Sequence, residues 1–312
     1  LASLNLLKFL NPDGSFDTEK FSKANELIFT AMDISICFAD FPTEKIGETT
    51  RNFRQLGIGY ANLGALLMAI GVPYDSREGF ALAASITSLM TASAYRRSAE
   101  LAGVVGTYNG YALNKAGHDR VMAKHEAANA AIIPVNQIDV EVHAAATREW
   151  ALNTEIGMQN GWRNSQASLL APTGTIGFMM DCDTTGIEPD FSLVKFKKLV
   201  GGGSMQIVNQ TIPRALRKLG YAPAQVEEII AYVNERSRDV TTYLYGRRMY
   251  ETMAVWETQP EFFTESPVLA DFADGTLDKA GMTEFNAVWE RAENLPTKAE
   301  IADPTAWVSR VL

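Results

Sequence analysis

Reactive side chains are scarce in this chain: 312 residues hold two cysteines and three histidines. Cys37 and Cys182 are too few for a disulfide framework and form no CxxC or Cys/His spacing that would hold zinc, so no metal ligand set is expected and a reducing cytoplasm is. His118, His125 and His143 fall on polar or alanine-rich helical stretches with no acid or cysteine at catalytic spacing, and surface or core-edge places are expected for them. No stretch reaches the roughly 18 apolar residues of a membrane span, and no basic-then-apolar leader opens the sequence. Basic charge is also short, with 28 Lys and Arg against 37 Asp and Glu and a net charge of -9. That balance disfavours a nucleic-acid surface while leaving room for a local basic pocket. A soluble protein without nucleic-acid or membrane partners is expected.

What is present is core material: 46% of residues are hydrophobic, enough for one large α/β domain or two ordinary ones. The chain opens on Leu1 rather than Met, and residues 1–10 already read as a buried element, so it looks cut from something longer. Asn11-Pro12-Asp13-Gly14 is a turn, after which Asp17 caps a helix with Phe21, Ala24, Ile28, Ala31 and Phe38 at helical spacing. That spacing puts Cys37 on or beside the packed face, and Pro42 stops the helix. Residues 56–60 read as a short strand whose glycines permit close backbone approach, followed by a helix over 62–70 that ends at Gly71. Asp75 or Ser76 caps a long helix through 80–101, and further helices are expected over 118–131 and 140–160. A strand over 165–170 comes next, then an irregular segment at 186–189, an element over 191–199, a glycine loop at 201–203, and helices over 208–219 and 224–234. From about Arg238 the texture changes and Trp256, Trp289 and Trp307 crowd the last quarter, which sets a boundary near residue 237.

The run Leu169-Leu170-Ala171-Pro172-Thr173-Gly174-Thr175-Ile176-Gly177 is the most informative. Aliphatic packing ends at Ala171, and a turn with little side-chain bulk can present consecutive backbone N–H groups beside two threonine hydroxyls, which is what an anion requires. Pro172, Thr173, Gly174, Thr175 and Ile176 are therefore candidate phosphate-binding residues. An ordinary strand-to-helix turn punctuated by Pro and Gly is the competing account.

Residues 161–203 run Gly-Trp-Arg-Asn-Ser-Gln-Ala-Ser-Leu-Leu-Ala-Pro-Thr-Gly-Thr-Ile-Gly-Phe-Met-Met-Asp-Cys-Asp-Thr-Thr-Gly-Ile-Glu-Pro-Asp and on through Val-Lys-Phe-Lys-Lys-Leu-Val-Gly-Gly-Gly. This stretch closely resembles the adenosylcobalamin-dependent, class II ribonucleotide reductases. The likeness extends upstream through Phe41-Pro42-Thr43-Glu44-Lys45-Ile46 and Leu56-Gly57-Ile58-Gly59-Tyr60-Ala61-Asn62-Leu63-Gly64-Ala65-Leu66-Leu67. The opening Leu1-Ala2-Ser3-Leu4-Asn5-Leu6 is similar to the family segment that follows a Cys-Asn pair. The resemblance implies a helix-rich, incomplete portion of a ten-stranded α/β barrel over residues 1–237, with the Pro-Thr-Gly-Thr turn at the barrel mouth receiving the substrate's phosphates. It also implies a ribonucleotide substrate, a radical reduction at the ribose 2′ carbon supplying deoxyribonucleotides for DNA synthesis, and adenosylcobalamin as radical source.

The departures carry equal weight. The family's radical cysteine, its neighbouring Asn and Glu, and its reducing cysteine pair match no position of this chain, so no catalytic residue is assigned. An isolated chain is expected to be inactive, with the missing N-terminal part of the barrel or a complementary chain as its partner. Asn164, Cys182 and Glu188 are expected to support the site without reacting, and Asp181, Asp183 and Glu188 read as a solvated acidic loop rather than a cation site. Lys195, Lys197 and Lys198 form a basic strip, more often a solvated face than a substrate guide. From about residue 240 the sequence leaves the reductase pattern. Thr242-Tyr243-Leu244-Tyr245-Gly246-Arg247-Arg248 resembles dihydrofolate-reductase-like proteins related to the C-terminal domain of riboflavin-biosynthesis reductases, in which a helix start and an arginine hold a dinucleotide phosphate. Gly246, Arg247 and Arg248 occupy those positions in a divergent α+β tail over 238–312, which implies NADPH as the alternative cofactor. A helical cap with an exposed Arg pair is the other account of the tail, and a non-catalytic remnant or assembly partner, with its helices kept and its site vacant, is the non-enzymatic account of the whole chain.

Overall fold

Short aliphatic runs separated by long helices suit parallel strands with crossover connections, and the structure, a computed structural model describing residues 1–190, 194–198 and 204–238, pairs them so. β1 (Ala2–Asn5) lies parallel to β2 (Ile58–Ala61), with Ala2 opposite Ile58 and Asn5 opposite Ala61. Residues 166–169 also run alongside β2. Leu56 and Ile58 N–H donate to Gln166 O and Ala167 O at 2.9 and 3.0 Å, and Leu169 N–H donates to Ile58 O at 3.0 Å. The strand expected over 165–170 is thus reduced to a parallel bridge between Ile58 and Ser168. Gly59 makes the approach feasible, because a Cβ there would sit 2.6 Å from Leu169 O.

The helices start where capping residues allow. α1 (Thr18–Phe38) begins at Asp17, whose carboxylate accepts Lys20 N–H at 2.9 Å. α2 (Glu44–Phe53) begins at Thr43, and α3 (Leu63–Ile70) closes on Gly71. α4 (Arg77–Val105) begins at Ser76, settling which of the two expected caps is used. α5 (Tyr111–Ala130) starts seven residues before the expected His118, and α6 (Gln137–Asn160) opens with a reciprocal Asn136–Asp139 capping box. α4 packs along α6 and against α1. Phe21, Phe29, Ile58, Leu66, Leu82, Ile86, Leu89 and Trp150 fill the core between them and the paired strands, each such side chain worth about 1.5–3 kcal/mol of transfer free energy.

The expected packed face of α1 needs correction. Its buried residues are Phe21, Ser22, Asn25, Phe29, Asp33 and Ile36, and Cys37, expected in the core, is exposed. The inward face carries polar residues that find partners in the core: Asn25 Nδ2 donates to Met90 O at 2.6 Å, and Asp33 receives Arg54. Phe38, expected on the packed side, is 83% exposed. The helix also ends at Phe38, before Pro42 is reached.

α7 (Gly174–Met179) follows the bridge segment, and α8 (Ile212–Lys218) packs on α3. All of these elements belong to one compact unit, Leu1–Leu193 with Val208–Ile229. A second unit takes in, among the described residues, positions 194–198, 204–207 and 230–238. β3 (Val194–Lys198) and β4 (Ser204–Val208) pair in a two-stranded sheet, and α9 (Pro223–Arg238) runs from the first unit into the second. Among the described residues no helix is long and apolar enough to cross a membrane. Gly246, Arg247, Arg248 and the rest of the expected tail lie outside the described residues.

Candidate functional site

Past Leu169 the chain leaves β2 and turns sharply. Thr173 sits at φ 49°, ψ 43° in the left-handed region, which a β-branched residue rarely enters. Its hydroxyl holds it there, donating to Pro172 O at 2.8 Å and accepting Gly186 N–H at 2.6 Å, and the residue is only 7% exposed. α7 then starts at Gly174, with its first backbone hydrogen bond from Gly177 N–H to Thr173 O at 3.2 Å. The N–H groups of Gly174, Thr175 and Ile176 precede any intrahelical acceptor. No acceptor for them exists among the described residues. Pro172, Gly174, Thr175 and Ile176 are all exposed. Beside Gly174 there is open space, with no atom within 4 Å of where a Cβ would lie. The structure thus brings the five sequence candidates into one bend. Four of them lie at the surface, while the Thr173 hydroxyl is committed to the bend itself.

A buried amide network holds the loop that follows. Asn62, at φ 72° just after β2, donates through Nδ2 to Asn5 Oδ1 at 2.9 Å, and its Oδ1 accepts Asp183 and Thr184 N–H, each at 3.0 Å. Asn5 Nδ2 donates to Met180 O at 2.9 Å, and Ala65 N–H donates to Thr184 Oγ1 at 3.2 Å. On the opposite side, Asp183 accepts Gln210 N–H at 2.9 Å and the Thr211 hydroxyl. Gly186, at φ 48°, closes the loop against the bend: a Cβ there would lie 2.9 Å from Ala171 O. The ends of β1 and β2, the start of α3 and the approach to α8 therefore all fix residues 180–186, and these in turn fix Thr173. Sequence reasoning missed Asn5 and Asn62. The available signal was an asparagine at the end of one short strand and directly after the other, where a side-chain amide can replace the lost ladder partners.

The supporting residues divide. Cys182 follows α7 and bonds Gly177 O through its N–H at 3.0 Å. Burial, reinforced by the Asp181 and Asp183 charges, pushes its thiol up to about 11, so it is a thiol and not a thiolate. Glu188 is exposed and accepts the Thr185 hydroxyl at 3.0 Å. Asp181 pairs with Lys8 at 3.0 Å. Asn164 lies in a different environment: it is fully buried, donates to Asp33 Oδ1 at 2.8 Å and Arg54 O at 3.0 Å, and accepts the Ser98 hydroxyl at 2.8 Å. It ties α1, α2 and α4 together around the buried Asp33–Arg54 ion pair.

His118 is 4% exposed, deeper than a surface or core-edge place. It stacks on Trp162 at 4.7 Å with Tyr95, Tyr108 and Tyr111 around it, and burial depresses it to about 4. It is a neutral core imidazole. His143 Nε2 lies 2.9 Å from Asn129 O, and His125 stacks on Trp150.

Comparison with known proteins gives two family matches. Residues 1–265 match the ribonucleotide reductase barrel domain, a match that runs through Gly246, Arg247 and Arg248, and residues 268–308 match a zincin-like metallopeptidase. The second segment contains neither histidine nor cysteine, so it brings no imidazole or thiolate ligand for zinc. Among curated relatives, the vitamin B12-dependent ribonucleotide reductase of Streptantibioticus cattleyicolor is 64% identical over 247 residues, covering 75% of this chain and 41% of the relative. The protein of the same name from Streptomyces coelicolor is 64% identical over 239 residues, covering 75% and 25%. The vitamin B12-dependent ribonucleoside-diphosphate reductase of Mycobacterium tuberculosis is 24% identical over 316 residues, covering 100% and 38%. The chain thus spans about a quarter to two-fifths of the length of these relatives.

Proposed function

Because this chain belongs to the ribonucleotide reductase barrel-domain family, we propose that it carries the substrate-phosphate side of a class II, adenosylcobalamin-dependent ribonucleotide reductase. The observation that carries the reading is the bend at 172–176, where the N–H groups of three consecutive exposed residues have no acceptor among the described residues and lie beside the exposed Thr175 side chain. Amides and a hydroxyl arranged in this way neutralise and orient a phosphate. In the proposed enzyme, β1, β2 and the segment at 166–169 are adjacent parallel strands of the ten-stranded barrel, and the bend leaves the end of the last.

Positioning is all that these groups can do. They fix the nucleotide so that its ribose is presented at a constant distance from the reacting centre, and they cannot abstract hydrogen. Cobalamin supplies the radical when bound. We assign the radical role to neither cysteine of this chain: the Cys37 thiol is exposed and 3.7 Å from the Arg54 guanidinium, and Cys182 is flanked by two carboxylates. The radical cysteine, the reducing pair and the cofactor are therefore assigned to the remainder of the barrel, in the same polypeptide or a complementary chain.

Titration of the chain with a ribonucleoside diphosphate tests the phosphate site. Saturable binding is expected, weakened by about 1–3 kcal/mol in Thr175→Val through loss of a charge-assisted bond. With adenosylcobalamin and a dithiol added, no deoxyribonucleotide is expected. Unchanged affinity in Thr175→Val contradicts the phosphate assignment, and turnover by the isolated chain contradicts the assignment of the chemistry elsewhere.

A further inference from the structure

A second feature lies along α8. A cleft of about 550 Å³ opens between the turn at 10–14, the end of α3, the start of α6 and α8. Three cations line it, Arg214, Arg217 and Lys218, all exposed and none in an ion pair among the described residues. Asp13 is the acidic side chain of the lining. Its carboxylate is taken up by its own turn, accepting Ser15 N–H at 2.8 Å and the Ser15 hydroxyl at 2.6 Å. Arg217 and Lys218 are favoured at the C-terminal turn of α8 by the helix dipole, but Arg214 stands in its first turn, where the dipole disfavours a cation. The start of α6 also borders the space at Asn136 and Gln137, with its own N–H groups capped by the Asn136 and Asp139 side chains. Three cations therefore converge on one cleft, in a protein whose net charge is -9. The floor is apolar: Ile70, Val72 and Ile138 are half-buried there.

Three exposed cations against one turn-bound carboxylate leave a net positive rim over an apolar floor, which a bound anion complements, and a cleft of this volume lies in the range of small-molecule sites. We propose that this cleft binds an organic phosphate of small-molecule size, with the phosphate on Arg214, Arg217 and Lys218 and the apolar body on Ile70, Val72 and Ile138. The site is separate from the bend at 172–176 and shares no residue with it.

The test is a fluorescence titration of the full chain with 1-naphthyl phosphate, with inorganic phosphate and 1-naphthol titrated in parallel. The ester is expected to bind saturably and about tenfold more tightly than either part alone, since each half of the cleft contributes. Arg214→Gln/Arg217→Gln should weaken the ester about tenfold, raised salt should weaken it in the unaltered chain, and Thr175→Val should leave it unchanged. If the double variant loses its circular dichroism signature, Arg214→Gln alone and the salt series read the same contribution. Ester binding no tighter than that of 1-naphthol, or insensitive to both salt and arginine replacement, overturns the proposal. Loss of binding in Thr175→Val with no change in the arginine variants places the probe at the bend and overturns it equally.

Discussion

Replacing Thr173 by Val isolates one hydrogen-bonding group without changing shape. Val keeps the β-branch and the heavy-atom count, so packing and the strain of φ 49° carry over unaltered. What disappears is the acceptor for Gly186 N–H, now at 2.6 Å, and the donor to Pro172 O. Pro172 is exposed and water replaces the second bond, whereas Gly186 is buried and its N–H is left unsatisfied. An orphaned buried donor costs about 1–3 kcal/mol, so the urea midpoint of Thr173→Val should fall by that amount divided by the m-value. Thr173→Ser should recover most of the loss. Thr175→Val, at an exposed position, should stay within about 0.5 kcal/mol of the parent. A Thr173→Val protein as stable as the parent would refute the argument that this hydroxyl pins the bend to the loop at 186.

Gly59→Ala should destabilise by about 2 kcal/mol or more, because its Cβ would sit 2.6 Å from Leu169 O and the backbone must separate; an unshifted melting temperature contradicts this. Asp33→Ala should cost about 3–5 kcal/mol in chemical denaturation by leaving the buried Arg54 guanidinium without its partner, whereas a loss near 1 kcal/mol would mean that water reaches it. His118 titrates near 4 when folded against about 6.5 unfolded, so the unfolded chain takes up the proton first as pH falls. Its contribution is complete above pH 6.5 and is lost progressively down to about 4. Going from about pH 7 to about pH 5 should cost about 2 kcal/mol that His118→Phe does not show, and equal pH slopes in the two proteins contradict it.

Caps and breakers made much of this fold legible. Asp17, Ser76 and Gly71 define helix ends by local chemistry that needs no tertiary information, and the structure uses each of them. The inward face of α1 was misread because Asn25 and Asp33 occupy it, and their partners Met90 and Arg54 lie far away in sequence. Periodicity counts apolar residues and is blind to a buried amide that a distant carbonyl satisfies. The strand at 165–170 was overextended because aliphatic content does not report where the pairing edge ends. The bend at 172–176 was readable because Pro172 and Gly174 punctuate it, while its left-handed residue, Thr173, carries no such sign in the sequence. The Asn5–Asn62 network behind it was not, since an asparagine has no fixed partner until the chain has folded.

The central claim is that the amides of residues 174–176 hold the phosphate of a ribonucleotide. A crystal structure of the chain soaked with a ribonucleoside diphosphate measures this directly. Phosphate oxygens within hydrogen-bond distance of the Gly174, Thr175 and Ile176 nitrogens are the predicted result. A nucleotide bound with its phosphates away from those nitrogens, or no nucleotide at a saturating soak, would contradict it.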